Sequence, residues 1–168
     1  MEGYKYEDTE KGRGIKPVIA ENMDVGLTMR AIREIFAQTE GDKSKTVTVS
    51  CSFLQIYNEK VFDLLNSQQL KGKSKMNQAG LKIRWSKTEQ FTVENLFVFR
   101  CNDADHCIEM YNKGIKNKIV ASHNLNHASS RSHAIFTVKL ETVSNDAVDN
   151  VTTSKFQLVD LAGSERSA

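Results

Sequence analysis

The run TVTVSCSFLQIY, from Thr46 to Tyr57, limits the fold more than any other stretch of this chain. Val47, Val49, Cys51 and Phe53 fall on one side of an extended backbone, and Thr48, Ser50 and Ser52 on the other. Alternation with a period of two reads as a β-strand, and its apolar side needs a cover. Two amphipathic segments can supply it. In GLTMRAIREIFAQ, Leu27, Ala31, Ile35 and Phe36 share a helical face, with Thr28 placed to cap the start. In DADHCIEMYNKGIKNKIVAS, residues Ala104, Ile108, Tyr111, Ile115 and Ile119 recur at helical spacing, and Asn102 or Asp103 can cap that helix.

The remaining segments fit around this frame. Residues 1–24 are polar and weakly patterned, which suggests a long surface loop. NEKVFDLLN suggests a short helical turn, and residues 67–80 a polar loop. LKIRWS and FTVENLFVFR read as two strands joined by KTEQ, a hairpin. AIFTVKLETV and SKFQLVDL are further strands, separated by the turn-rich SNDAVDNVTT. Strands and helices interleave, so the expected class is α/β, with a mixed central sheet flanked by helices. The length of 168 residues suits one domain.

Composition excludes several functions. An apolar content of 39% fits a globular chain. A net charge of +2 gives no electrostatic case for nucleic acid or a membrane surface. No apolar run is long enough for a membrane span, and no signal peptide is evident. Cys51, Cys101 and Cys107 fit no disulfide framework, which points to a reducing cytosol. Cys101, His106 and Cys107 invite a zinc reading. No second ligand pair stands at finger spacing, however, and a helix would bury Cys107, so a buried thiol is the expectation. The sequon at Asn150 has no secretory context and reads as chance.

Chemistry concentrates near the end of the chain. In FQLVDLAGSER, an apolar run ends in Asp160, and Gly163 follows three residues later. An aspartate that holds Mg²⁺ through water and a glycine that offers its N–H to a γ-phosphate form such a pattern. The matching phosphate loop needs a glycine, four residues, then Gly-Lys-Ser/Thr. Gly72-Lys73-Ser74 comes nearest, but Ser67 stands where the first glycine belongs, and neither flank has the right period. The chain therefore carries a phosphate sensor without a phosphate cradle.

The second dense cluster is NHASSRSH, from Asn126 to His133, just ahead of a strand. A serine-hydrolase reading would pair Ser129, Ser130 or Ser132 with a histidine and Asp160, but there is no nucleophile elbow. Plain turn capping by Ser and Asn is another reading. A switch loop is the third. Serine hydroxyls there can ligate Mg²⁺ or orient a water, and Arg131 can lock onto Glu165.

NHASSRSH followed by LVDLAGSER resembles switch I and switch II of the kinesin motor domain. SFLQIYNEKVFDLL and GLTMRAIREIF are similar to further kinesin segments, so the likeness runs from Met1 to Ala168. Met29 departs from a common proline, and VENLFVFR departs from the usual hairpin pattern. The resemblance implies a kinesin-like P-loop NTPase fold, incomplete at both ends. The chain would run from just after the phosphate loop to switch II, without the relay and main microtubule-binding helices.

The resemblance also implies roles. Ser130 would coordinate Mg²⁺, Ser129 would position the lytic water, and Asn126 would lie near the phosphates of ATP. Arg131 would pair with Glu165. Asp160 would hold a water of the Mg²⁺ shell, and Gly163 would bind the γ-phosphate. Lys82, Arg84, Lys87 and Arg100 are candidate contacts to tubulin, although a solvated charged face explains them equally well. The implied parent is a microtubule-stimulated ATPase of the cytoplasm and cytoskeleton, with room for dimerisation through a stalk outside this chain. The 168 residues alone are expected to lack ATPase. The competing expectation is a non-catalytic kinesin-like module that binds tubulin or a protein partner.

Overall fold

The structure, a computed structural model, describes residues 5–9, 12–16, 26–40, 44–66, 80–88, 90–123, 131–145 and 151–163. Its centre is β3 (Lys45–Tyr57), the alternating run, paired along its whole length with β8 (Ser132–Ser144). The five-stranded sheet runs β4 (Lys60–Asp63), β3, β8, β9 (Val151–Asp160), and β7 (Phe99–Cys101) also pairs with β3. The expected mixed sheet is mostly antiparallel. Among the described residues every ladder has that sense.

Helices α1 (Leu27–Glu40) and α2 (Ala104–His123) supply much of the core together with the sheet. Ile32, Phe36, Cys107, Ile108, Tyr111 and Ile115 join Val49, Cys51, Phe53, Phe136 and Val138 in one cluster. The ring of Phe53 stacks on Tyr111 at 5.5 Å and meets Phe136 edge-on at 5.3 Å. Such offset and edge contacts add to the area that these rings bury.

Several local expectations are corrected. The long loop at the start contains a hairpin, β1 (Lys5–Thr9) with β2 (Gly12–Lys16). Thr28 does not cap α1. It is buried within the helix, and the Gly26 carbonyl accepts from Met29 and Arg30 N–H. The buried face of α1 is Thr28, Ile32 and Phe36, while Leu27 is exposed. NEKVFDLLN forms no helical turn but the strand β4. Asn58 and Glu59 carry φ of 47° and 60°, the left-handed pair that closes a two-residue hairpin. Asparagine tolerates that region, whereas glutamate rarely adopts it, so the turn had no strong composition signal.

Asp63 then ends β4. Its Oδ1 accepts from Leu65 N–H at 2.8 Å and Asn66 N–H at 3.1 Å, and its Oδ2 from Phe97 N–H at 2.6 Å. That buried carboxylate draws residues 97–98 towards the sheet. FTVENLFVFR is accordingly two strands. β6 (Gln90–Val93) pairs with β5 (Ile83–Ser86) in the expected hairpin, and β7 crosses to β3 after a turn at Asn95 with φ of 59°. Asp103, not Asn102, caps α2, its Oδ1 accepting from His106 N–H at 2.7 Å. β9 begins at Val151, so part of the expected connection before it is strand.

Candidate functional site

Asp160 is the last residue of β9, opposite Ala134. Its side chain shares a sheet face with Ala134 and Phe136, the face that α2 covers. From α2, Lys118 Nζ donates to Asp160 Oδ2 at 2.5 Å. The ammonium is nearly buried and the carboxylate is half exposed. A buried cation needs a partner, and Asp160 supplies one. Lys118 thus fixes the carboxylate that the sequence singles out. The signal for Lys118 was legible but unread: it lies seven residues after Tyr111 and three after Ile115, a cation inside an apolar stripe.

The ends of β8 and β9 are cross-tied. Ala162 N–H donates to His133 Nδ1 at 3.0 Å, and Gln55 Nε2 donates to Ser132 Oγ at 2.9 Å. The chain after Asp160 is therefore hydrogen-bonded to the start of β8, which is tied in turn to β3. Arg131 is exposed one residue before β8, and Gly163 is exposed three residues beyond β9. The structure brings Asp160 close to the segments carrying Gly163 and Arg131. Asn126, Ser129, Ser130 and Glu165 lie outside the described residues, and with them the Arg131–Glu165 pair and the Gly72-Lys73-Ser74 stretch. A serine-hydrolase constellation does not form among the described residues. Asp160 faces Lys118, and His133 receives a backbone N–H.

Lys82, Arg84 and Lys87 lie on or beside the β5–β6 hairpin and are exposed. Arg84 Nε donates to Glu94 Oε1 at 2.7 Å, so its charge is locally answered. Arg100 is exposed on β7, in the main sheet rather than in this hairpin. The same hairpin exposes Trp85 and Phe91, at 61% and 72% of their surface, and sequence reading passed over both.

A second cluster lies elsewhere in the core. Cys51 of β3, Cys101 of β7 and Cys107 of α2 are all buried and free. Their Sγ atoms lie within 4.8 Å of one another, and Cys101 Sγ stands 3.5 Å from Cys51 Sγ. Hydrogen bonding with Cys107 first, and with Cys51, holds the Cys101 thiol below its ordinary range. The same bonds to Cys101 push the thiols of Cys51 and Cys107 up. The zinc reading of the sequence had joined Cys101 and Cys107 with His106. The third sulfur instead comes from a strand far away in the chain.

Known proteins resemble this chain along nearly its whole length. It is 37% identical over 167 residues to the kinesin-like protein Klp98A of Drosophila melanogaster, covering 98% of this chain and 13% of that protein. It is 35% identical over 152 residues to the kinesin-like protein KIN-12G of Oryza sativa subsp. japonica, covering 86% of this chain and 11% of that one. The solved structure of a fast kinesin superposes with a TM-score of 0.76 at 26% identity, over 89% of this chain and 40% of the other. The chain thus spans between about a tenth and a fifth of its curated relatives' length. The kinesin motor domain profile matches residues 7–168, and the chain belongs to the kinesin motor domain family.

Proposed function

We propose that this chain is the nucleotide-sensing middle of an ATP-driven microtubule motor, running from just after the phosphate loop to switch II. The observation that carries the reading is the placement of Asp160. It sits at the carboxyl end of β9, held by Lys118 and followed by a segment tied through His133 to β8. The solved fast kinesin is one studied for its ATPase mechanism and interactions with microtubules, which agrees with this assignment.

The donor set suits Mg²⁺. The half-exposed carboxylate of Asp160 and the hydroxyl that Ser130 carries are hard oxygen donors of the kind that this ion prefers. Asp160 and Ser130 would hold it, Asp160 through water. Mg²⁺ with ATP supplies charge neutralisation on the phosphates and the energy of hydrolysis. The chain's own residues do the remainder. Ser129 orients the attacking water, Asn126 lies near the phosphates, and the Gly163 N–H meets the γ-phosphate. Arg131 closes onto Glu165, joining the two loops around the site. Lys118 acts as a positioning residue that keeps the Asp160 carboxylate aimed from β9 towards α2. The basic hairpin residues Lys82, Arg84 and Lys87, with Arg100, offer contacts to acidic tubulin.

A second reading, a non-catalytic module for tubulin or a protein partner, draws on the exposed Trp85 and Phe91. Aromatic side chains exposed among cations are common at protein interfaces. Activity separates the two. In the full-length protein, Glu165→Ala should still bind ATP but complete turnover at least about a hundredfold more slowly, as when a transition-state contact is lost. Steady-state ATPase at the wild-type rate in that variant would refute the latch. ATP binding with no turnover by the wild type, with or without microtubules, would favour the module. The isolated 168 residues should show no microtubule-stimulated ATPase.

A further inference from the structure

The three buried thiols form a site that the motor reading does not use. They arrive from three separate elements: the middle of β3, the end of β7 and the first turns of α2. Mutual Sγ distances of at most 4.8 Å bring all three thiols within reach of one ion. Two uses of such a trio can be distinguished by geometry. A disulfide between Cys51 and Cys101 is disfavoured by register. Cys101 pairs with Val49, and Cys51 pairs with Phe99, so the two cysteines are diagonal across an antiparallel ladder. Diagonal Cα atoms lie about 7–8 Å apart, beyond the usual disulfide span of about 4.4–6.8 Å. A single ion suits the sulfurs better. Zn–S bonds of about 2.3 Å place tetrahedral sulfurs about 3.8 Å apart. No pair in the trio is more than about 1 Å wider than that spacing, and one pair stands at 3.5 Å.

One member of the trio lies beside open space. Cys101 borders a cleft of about 250 Å³, shared with Phe36, Thr39, Thr48, Arg100 and Asn102. The cleft is large enough to admit a hydrated ion and to leave a water on it. Asp103 and His106 are the ionisable neighbours that act on Cys101.

We propose that Cys51, Cys101 and Cys107 bind one thiophilic divalent cation of the Zn²⁺ type, with a cleft water as fourth ligand. Binding forms three metal–sulfur bonds and releases the thiol protons still present to solvent, with no change of oxidation state. The ion would staple β7 and the start of α2 to β3, the junction where the chain leaves the β5–β6 hairpin for the main sheet.

The test uses full-length protein, reduced, treated with a chelator and kept free of oxygen. Co²⁺ is titrated as a coloured stand-in for Zn²⁺. The expected result is thiolate-to-cobalt charge-transfer absorption that Zn²⁺ abolishes. Cys101→Ala should weaken the intensity and lower Zn²⁺ affinity by more than about tenfold. Should that variant misfold, the wild type alone still decides. Zn²⁺ should slow alkylation of Cys51, Cys101 and Cys107 together, followed by peptide mass. No charge-transfer absorption, absorption unchanged in Cys101→Ala, or alkylation of the three thiols indifferent to Zn²⁺ would each overturn the proposal. A Cys51–Cys101 disulfide in the protein as isolated from cells would overturn it as well.

Discussion

Strands β3 and β9 both flank β8 through long antiparallel ladders, yet only one of them is core. β3 is buried on both faces. Cys51 and Phe53 meet the helices, and Ser50 and Leu54 are covered on the reverse. β9 is open along most of its length, with Val151, Phe156 and Val159 exposed. Hydrogen-bonded pairing is shared by the two strands, so pairing is not what buries them. The difference lies in the helices. α2 lies across β3, where Tyr111 stacks on Phe53, and it meets β9 at the Lys118–Asp160 pair. The strand that carries Asp160 is therefore held at that end by a charge pair together with the packing of Leu158, and by little else along its length. Such an arrangement leaves the carboxylate accessible and its strand loosely covered.

The most forceful way to break this comparison is to empty the centre of β3. Phe53→Ala removes a ring stacked on Tyr111 and edge-on to Phe136. The expected loss is about 3–5 kcal/mol, read from the urea midpoint of the protein. A loss below about 1 kcal/mol would mean that β3 is no more central than β9. The next test approaches the same ring from the helix. A Cβ on Gly114 would lie 2.2 Å from Phe53 Cδ1 and 2.8 Å from Cε1. Alanine favours a helix by about 1 kcal/mol over glycine. Here the ring is held between Tyr111 and Phe136 and would have to shift, so overpacking of about 1–3 kcal/mol wins. Gly114→Ala should lower the midpoint, and a raised midpoint would show that the ring has room to move.

The difference between the two strands also governs what the sequence could reveal. The alternation from Val47 to Phe53 and the stripe from Ala104 to Ile115 were legible because burial imposes a period on them. β4 was misread as helical. Its pairing depends on Asn58 and Glu59 adopting the left-handed region, and no glycine advertised that. β7 was merged with β6 because the agent that separates them is Asp63, more than thirty residues earlier, acting through Phe97 N–H. Asp160 stood out through its motif, whereas Lys118 gave only a polar break in an apolar stripe. The thiol trio was beyond sequence reading, since its third member meets the others through the β3–β7 register. Local period reports local burial, and contacts between distant segments must await the fold.

The smallest effect is also the sharpest comparison, because one substitution can be made in both strands. Val→Thr keeps the shape of the side chain and replaces a methyl with a hydroxyl. Val49 of β3 is 4% exposed, and Val159 of β9 is 38% exposed. At Val49 the hydroxyl would have to be desolvated among apolar neighbours, at a cost of about 1–3 kcal/mol. At Val159 water reaches the hydroxyl, and threonine suits an exposed strand as well as valine does. Val159→Thr should therefore leave the urea midpoint within about 0.5 kcal/mol of wild type. A cost at Val159 equal to that at Val49 would mean that β9 is covered in the folded protein by chain beyond this segment. Its exposed face would then be a buried interface, and the loose hold on Asp160 would give way to a rigid one.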